Sequence, residues 1–281
     1  GGSDLVPGTV VNDLIITNVR NQFFAGQTFF DIQTFRADDV LIDQTLDVLG
    51  PIIELGVLTD VVVTPVDYNA GSVGTLAVEF TLANPLAADD QIVLEFTDGY
   101  IFNPSGVASS AIIDGNLDVT VPGDSNTLVL LRSGAPTEIA AGTSVTDLTI
   151  TLVENPGFEV NVTYNVFIAD NLTRPTDGGN VTATIVRGAL GTPTADLSTY
   201  VLGEAVTPTF TFTTANDIPD DGQVEITLPT GFDVTAASLS SAEFPGGFAA
   251  ADISGAPTLV FPRVPGSGDV APATPVALAL S

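Results

Sequence analysis

The sequence predicts an all-β protein built from tandem β-sandwich domains. Short runs in which Val, Ile, Thr, Phe and Leu alternate with polar residues recur along the chain, and this alternation is typical of strands. The 27 Gly and 19 Pro fall mostly between these runs, where they form turns. Apolar residues spaced for an amphipathic helix are almost absent. Many short strands separated by turns are the pattern of a sandwich.

Seven runs carry the strand prediction. In chain order they are 75–82, 91–96, 127–131, 145–153, 160–168, 207–213 and 223–228. With 44% apolar residues the chain can bury a sizeable core, which excludes global disorder.

An internal repeat of about 132 residues is the most informative feature of the chain. The residues of 79–100 are matched 132 positions later by 211–232, with seven of 22 aligned pairs identical, including the Ala-Asn pair at 83–84 and 215–216. A second segment, 8–17, matches 142–151 at seven of ten positions. The repeat length fits one β-sandwich domain of Ig-like size with long loops.

The repeat divides the chain into three parts. Residues 1–57 match the C-terminal part of a sandwich repeat, 58–188 a complete repeat and 189–281 the N-terminal part of a further repeat. A sandwich without its last strands has an unpaired edge and an open core. We therefore expect copies, or successive parts of a longer covalent array, to join head to tail, with each N-terminal segment completing a C-terminal domain. The alternative is that 1–57 packs as a small sheet on the middle domain.

The composition excludes several functional classes. The chain has 34 acidic and six basic residues, a net charge of −28, which argues against a nucleic-acid partner. It contains no His and no Cys, so a thiol nucleophile, a Ser-His-Asp triad and an imidazole metal ligand are excluded. No apolar run is long enough for a membrane span. We expect no enzymatic activity.

Calcium is the one cofactor that the residue types suggest. Two turns preceding predicted strands are rich in carboxylates, which are hard oxygen ligands. The candidate ligands are Asp89, Asp90, Asp217, Asp220 and Asp221. The alternative interpretation is that Asp-Asp-Gly and Asn-Pro sequences only form solvated turns.

Aromatic doublets and glycosylation sequons mark two further candidate sites. Phe23, Phe24, Phe29 and Phe30 form the densest aromatic cluster. Neighbouring residues of a strand point to opposite faces, so one Phe of each doublet is expected to be exposed or covered by a partner domain. Three Asn-x-Thr sequons place candidate glycosylation sites at Asn161, Asn171 and Asn180.

The segment 215–232 and its earlier copy resemble a strand-turn-strand element of tandem Ig-like repeats in large secreted cell-surface and filament proteins. The resemblance implies an extracellular, cell-surface location and a structural role, as the building block of a filament, fibre or sheath. The alternative function is an adhesin or glycan-binding module, with calcium as a candidate cofactor. The expected partner is a second copy of the chain, and for the alternative function a glycan.

Overall fold

The computed structural model describes residues 6–12, 14–97, 99–123, 126–234, 236–255 and 257–281, and within them all regular structure is β-strand. The prediction of an all-β chain is confirmed, and each of the seven predicted runs overlaps a strand. None of the described residues lies in a helix that is long and apolar enough to cross a membrane.

The first structural element is a two-stranded antiparallel hairpin, which we call the N-terminal hairpin. It consists of β1, Gly26–Phe35, and β2, Leu41–Ile53. Neither strand pairs with any other described strand. The segment before it, at 6–12 and 14–25, forms no strand, although 8–17 resembles 142–151; Asp13 lies outside the described residues.

A larger unit follows, which we call the middle sandwich. Its strands are β3 Gly56–Val57, β4 Thr59–Thr64, β5 Val73–Thr81, β6 Gln91–Phe96, β7 Ile101–Phe102, β8 Ala108–Ser109, β9 Asn116–Thr120, β10 Thr127–Ser133, β11 Ser144–Glu154, β12 Val160–Ala169 and β13 Pro175–Ile185. They hydrogen-bond in the order β3-β13-β12-β6-β10-β9-β8-β11-β5-β4, and β7 also pairs with β11. A single pair, Ala108 with Leu117, joins β8 to β9.

One apolar core lies inside the middle sandwich. It draws on strands from both halves of the hydrogen-bonded path, such as Leu94 of β6 and Ile150 of β11. The alternation that predicted the strands is visible in their burial, because every second residue of β5 and β12 is buried. The two halves therefore enclose a common core, as the layers of a sandwich do.

The last unit, which we call the C-terminal unit, has a smaller set of strands. They are β14 Gly191–Leu197, β15 Pro208–Thr213, β16 Gln223–Thr227, β17 Leu239–Ser240, β18 Thr258–Pro262 and β19 Pro275–Leu280. One sheet has the order β14-β15-β19-β17, and the other contains β16 and β18. A second core, separate from that of the middle sandwich, includes Leu259, Phe261 and Leu278.

The two units pair their strands in matching registers. In the middle sandwich Glu95 lies opposite Thr127, and in the C-terminal unit Thr227 lies opposite Thr258. Likewise, Phe80 pairs with Val145 of β11, and Phe212 with Val276 of β19. The strands β5, β6, β10 and β11 thus have counterparts in β15, β16, β18 and β19. No described strand of the C-terminal unit corresponds to β12 or β13.

Candidate assembly surfaces

The strand β16 has an unpaired edge where its counterpart is paired. In the middle sandwich β6 lies between β10 and β12, whereas β16 pairs only with β18 among the described strands. The difference is visible at one position: Gln91 of β6 is 6% exposed, while Gln223 of β16 is exposed. Backbone N–H and C=O groups along such an edge are free to pair with another strand.

The core beside this edge is open. Val78 and Phe80 of β5 are fully buried, at 0% and 1% exposure. Their counterparts Phe210 and Phe212 of β15 are only partly buried. Two phenylalanines of the C-terminal unit therefore keep contact with solvent at positions that the middle sandwich covers completely.

A cleft of about 850 Å³ opens on the C-terminal unit. Leu228, Phe232 and Tyr200 lie on its wall. The corresponding residues of the middle sandwich are Phe96, Tyr100 and Tyr68, where Tyr164 of β12 packs against Phe96 and Tyr100 at ring-centroid distances of 5.7 and 5.8 Å. The cleft thus lies where a β12-type strand is inserted in the middle sandwich.

The hydroxyl groups of Tyr100 and Tyr164 are 2.6 Å apart and form a buried hydrogen bond. Burial, followed by the hydrogen bond to Tyr164, raises the pKa of Tyr100 far above its usual range. Burial is also the main reason that the pKa of Tyr164 is raised. Both phenols are therefore neutral at physiological pH, and their pair is a structural contact.

The N-terminal hairpin exposes apolar side chains on both faces. Phe29 is 58% exposed and Phe30 is 53% exposed, although they point to opposite faces of β1. Further exposed apolar residues of the hairpin are Ile32, Phe35, Leu41, Ile42, Leu46, Leu49 and Ile52. A two-stranded hairpin without a packing partner is marginally stable in water. An apolar surface of this kind marks an interaction site.

The other predicted doublet lies just before the hairpin. Phe23 is exposed, whereas the ring of Phe24 is covered by the guanidinium of Arg174, whose central carbon lies 3.6 Å from the ring centroid. The N–H of Ala25 donates to the carbonyl of Pro175 at 2.9 Å. These contacts attach the start of the hairpin to the β12–β13 turn of the middle sandwich.

A buried carboxylate fixes the β12–β13 hairpin to the middle sandwich. Asp177 of β13 is completely buried. It accepts hydrogen bonds from the backbone N–H groups of Ala83 and Asn84 at 3.0 and 2.9 Å, and from Nδ2 of Asn84 at 2.6 Å. Hydrogen bonds to a charged acceptor are stronger than neutral ones, so this contact both positions and stabilises the hairpin. The repeated Ala-Asn pair was visible in the sequence, but its carboxylate partner was not.

Two arginines occupy equivalent buried positions. Arg132 donates from Nη1 to the carbonyls of Leu86 and Ala87, and from Nη2 to the carbonyl of Thr137 and to Asp114. Its ion pair with Asp114 has an N–O distance of 2.6 Å.

Arg263 repeats the carbonyl contacts, with Nη1 at 2.7 and 2.6 Å from the carbonyls of Ile218 and Pro219 and Nη2 bonded to Gly268. Neither arginine bridges two units.

The candidate calcium ligands are distributed over separate turns. Asp89 accepts a hydrogen bond from the side chain of Asn171 at 2.5 Å. Asp90 is buried and accepts from the N–H of Ala87 at 2.7 Å. Burial is the main reason that the pKa of Asp90 is raised.

In the C-terminal unit Asp220 accepts from the N–H of Gly266 at 2.7 Å, and Asp217 and Asp221 are exposed. Within the described part of the chain, no three acidic side chains are grouped as a metal site would require. Calcium binding stays a prediction.

The three sequon asparagines are all exposed. Asn161 lies on β12, where its Oδ1 accepts from the hydroxyl of Thr184 at 2.8 Å, and Asn180 lies on β13. Asn171 lies in the turn between these strands and is bonded to Asp89. All three side chains are accessible on the β12–β13 hairpin, and their glycosylation stays a prediction.

Comparison with known proteins gives only distant structural similarity. No protein-family model and no curated protein matches the chain. Among solved structures, the chain is similar to the C-terminal domain of the Streptococcus pyogenes antigen I/II-family protein AspA, at 8% identity and a TM-score of 0.31, covering 90% of each chain. It is also similar to the C-terminal domain of the Streptococcus agalactiae AgI/II polypeptide BspA, at 9% identity and a TM-score of 0.27, covering 78% of this chain and 88% of that one. Similarity at this level says nothing about function.

Proposed function

We propose that this chain is a structural protein of the extracellular surface, the building block of a filament, fibre or sheath that assembles head to tail. The observation that carries the proposal is the coexistence of an unpartnered apolar hairpin, β1–β2, and a sandwich with an unpaired edge at β16. The hairpin has apolar side chains without a packing partner, and β16 has an edge without a pairing strand among the described residues. Contact between different surfaces of identical subunits repeats without closing and produces a filament.

The proposed role is mechanical and does not include catalysis. The sequence contains no His, Cys or Lys, so thiol nucleophiles, Ser-His-Asp triads and Schiff-base chemistry are excluded. Arg132, Asn155 and Asp177 are buried polar residues whose side chains form hydrogen bonds with backbone groups of other strands and turns. These contacts support a structural role for each of them.

The experiment is electron microscopy of the native protein combined with its fully denatured mass. Filaments from chains of about 28.8 kDa support assembly of separate subunits. A much larger denatured mass supports a long covalent array of such repeats. A protein that remains monomeric at high concentration and physiological salt contradicts the proposal. The salt concentration matters because a net charge of −28 opposes association unless it is screened.

A chelator distinguishes this mode of assembly from a calcium-dependent one. Strand pairing between subunits does not need a metal, so we expect filaments to persist in EDTA. Disassembly in EDTA that is reversed by Ca²⁺, with no effect of Mg²⁺, would identify calcium as a structural component at the acidic turns.

A glycan-binding function is the second candidate, and one observation favours it. The cleft on the C-terminal unit contains the exposed ring of Tyr200 and the half-exposed ring of Phe232, and aromatic rings with a polar rim suit a sugar. Titration of oligosaccharides into monomeric protein tests it. Saturable binding that is lost in Tyr200→Ala would support an adhesin, and absence of binding across a glycan panel would contradict it.

A further inference from the structure

We propose that the N-terminal hairpin of a second copy occupies the β16 edge in one defined register, and that its Asp43 binds the backbone N–H groups of Ala215 and Asn216. This inference rests on the proposed head-to-tail assembly and specifies its contact surface. The site is a carboxylate-binding turn on the C-terminal unit, and its occupant is a side chain of another copy of this chain.

The β12–β13 hairpin and the N-terminal hairpin have the same pairing irregularity near their turns. In the β12–β13 hairpin, Asp177 lies opposite Ile168, and one residue is skipped before the last pair, Ala169 with Pro175. In the N-terminal hairpin, Asp43 lies opposite Thr34, and one residue is skipped before the last pair, Phe35 with Leu41. In both hairpins the aspartate therefore comes directly after the residue that is skipped in the strand pairing. Asp43 is the counterpart of Asp177.

The turn at Ala215 and Asn216 contains the same backbone donors that bind Asp177 at Ala83 and Asn84. Ala215 and Asn216 repeat Ala83 and Asn84 in sequence and in the bend that follows the strand. Among the described residues, the N–H groups of Ala215 and Asn216 have no acceptor. A backbone N–H pair that is occupied by a carboxylate in one unit is thus open in the other.

The glycine beside each turn also agrees, and Asn216 differs from Asn84 in that its Oδ1 additionally lies against Gly71 of the middle sandwich. A Cβ at Gly56 would lie 3.1 Å from Cβ of Ala83 and 2.5 Å from Nδ2 of Asn84, and also 2.1 Å from Asp177. A Cβ at Gly188 would lie 2.6 Å from Cβ of Ala215 and 3.0 Å from Nδ2 of Asn216. The glycine, the alanine and the asparagine are in place at both turns. Only the carboxylate is missing from the second.

The pairing of β12 with β6 in the middle sandwich predicts the register of β1 on the β16 edge. Tyr164 lies opposite Phe96, and Phe167 opposite Val93. Transferring this register by the 134-residue offset between Asp43 and Asp177 places residues 30–35 of β1 opposite residues 228–223, which comprise β16 and the adjoining Leu228. The resulting pairs are Phe30 with Leu228, Ile32 with Ile226, Gln33 with Glu225, and Thr34 with Val224.

Two side chains that contact each other in the middle sandwich are both replaced in the proposed contact. The hydroxyl pair of Tyr100 and Tyr164 is replaced on both sides by phenylalanine, at 232 and 30. Neither residue of the new pair carries a hydroxyl that would be left buried without a partner, which would be unfavourable.

The outward-facing pair of the same strands changes in the same coordinated way. Phe167 opposite Val93 is replaced by two polar residues, Gln33 and Glu225. An amide opposite a carboxylate can form a hydrogen bond, so this pair is also compatible across the new contact. Both of these replaced pairs are therefore compatible across the proposed contact.

A second copy is the occupant because the chain's own hairpin is not on this edge. The residues Phe30 and Ile32 of β1 are exposed, and β16 has no pairing strand on that side among the described residues. The hairpin ends at Ile53, and the chain then enters β3, which pairs with β13 of the middle sandwich. One copy thus offers the hairpin and another offers the edge.

The first test uses cysteine pairs in the full chain, which has no natural cysteine. The double variant Gln33→Cys/Glu225→Cys places the two thiols opposite each other, so mild oxidation is expected to give a ladder of covalent oligomers on a denaturing, non-reducing gel. The register control is Gln33→Cys/Gln223→Cys, which is displaced by two residues and is expected to give at least fivefold less ladder.

The second test removes the carboxylate. We expect Asp43→Ala to raise the protein concentration needed for assembly by about tenfold or more, because the carboxylate loses the two N–H groups and also Nδ2 of Asn216, the counterpart of the Asn84 donor to Asp177. Asp47→Ala is the matched control on the same strand and is expected to assemble like the wild type. Asn216→Ala combined with Asp43→Ala should add little to Asp43→Ala alone, since both changes break one contact.

The outcomes separate this inference from the proposed function. Filaments that form normally in Asp43→Ala, or that cross-link better in the displaced pair, would overturn the register while leaving assembly intact. A monomeric species with an internal disulfide in Gln33→Cys/Glu225→Cys would show that the hairpin binds its own C-terminal unit and would overturn the second-copy occupant. A wild-type protein that forms no oligomers under any salt condition would overturn both.

Discussion

The middle sandwich and the C-terminal unit differ most in the β12–β13 hairpin, which has no counterpart among the described strands of the C-terminal unit. With it, Gln91, Val78 and Phe80 are buried; without it, Gln223, Phe210 and Phe212 stay partly or fully exposed. The strands that the two units share pair in matching registers around buried arginines. The comparison teaches that the last hairpin closes the core and is not needed to set up the other strands.

The largest expected effect comes from deleting an equivalent aromatic ring in each unit. Phe80→Ala should lower the free energy of unfolding of the middle sandwich by about 3–5 kcal/mol, because the side chain is completely buried. Phe212→Ala should lower that of the C-terminal unit by about half as much, because its ring is already partly in water. Chemical denaturation of monomeric protein, followed by a probe for each unit, measures both.

Equal losses for the two variants would break the comparison, since they would mean that the C-terminal core is as closed as the middle one. In assembled protein we expect the loss for Phe212→Ala to increase toward that for Phe80→Ala. A wild-type-like melting curve for Phe80→Ala would contradict the assigned core.

The next effect compares two neighbouring phenylalanines of β1. The correspondence places Phe30 toward the open core and Phe29 on the opposite face, although both are exposed in the single chain. Phe30→Asp should raise the concentration needed for assembly by ~100-fold or more, because it would bury a charge without a partner. Phe29→Asp, a chemically identical change one residue away, should have less than a tenth of that effect. Sedimentation velocity across a concentration series measures the difference.

The thermal stability of monomeric Phe30→Asp is its folding control and should equal that of the wild type, since the hairpin contributes to neither core. If both aspartates abolished assembly equally, the hairpin would be contacting its partner with both faces and the single-face register would be wrong.

An effect of similar size is expected for the buried arginines that both units share. Arg132→Ala should lower the free energy of unfolding by about 3 kcal/mol, because three carbonyls and one carboxylate lose their donor. Arg263→Ala should lower it by a similar amount through its three carbonyls. The control is Arg36→Ala, whose exposed ion pair with Asp38 contributes ~0–1 kcal/mol.

Thermal melts of the three arginine variants, with assembly measured in parallel, decide this point. A wild-type melting curve for Arg132→Ala, combined with a loss of glycan binding, would contradict the structural role of Arg132.

The smallest expected effect is a pH dependence that arises from Asp114, the carboxylate paired with Arg132 in the middle sandwich. Hydrogen bonds from the hydroxyl and then the N–H of Thr137, with a further contribution from Arg132, lower the pKa of Asp114 below its usual 3.8. A lowered folded-state pKa means that the carboxylate stabilises the fold above the unfolded-state pKa, and that this stabilisation is lost as the pH falls through the folded-state pKa. No acidic residue is bonded to Arg263 among the described residues.

Asp114→Asn should therefore destabilise the middle sandwich at pH 7 and have little effect at pH 2. Asp221→Asn is the matched control, because the side chain of Asp221 is exposed and makes no described contact. Stability curves from pH 2 to pH 7 for the two variants and the wild type measure the effect. A destabilisation by Asp114→Asn that is independent of pH would contradict the assigned charge interaction.

Much of the architecture follows from local sequence pattern. The alternation along 160–168 or 223–228 requires one buried and one exposed face, so the strands and the all-β class are readable without a structure. The 132-residue spacing of the Ala-Asn pair likewise predicted equivalent turns. Both features can be recognised from short stretches of sequence, because each is formed by residues that are neighbours in the chain.

Other features depend on residues far apart in the chain, and only the tertiary structure decided them. Nothing near Asp177 in sequence indicates that its carboxylate binds the N–H groups of Ala83 and Asn84, some 93 residues away. Residues 8–12 and 14–17 resemble a strand but form none in the part of the chain that the structure describes, because a strand needs a neighbouring edge as well as a suitable pattern.

The sequence by itself determined the strands, the 132-residue spacing of the matching segments and the absence of His, Cys and Lys. The tertiary structure decided which edge stays open, which phenylalanine faces the core and which carboxylate has an unoccupied counterpart. The physical reason is that strand propensity is local, whereas the closure of a sandwich depends on backbone hydrogen bonds and apolar contacts between distant segments.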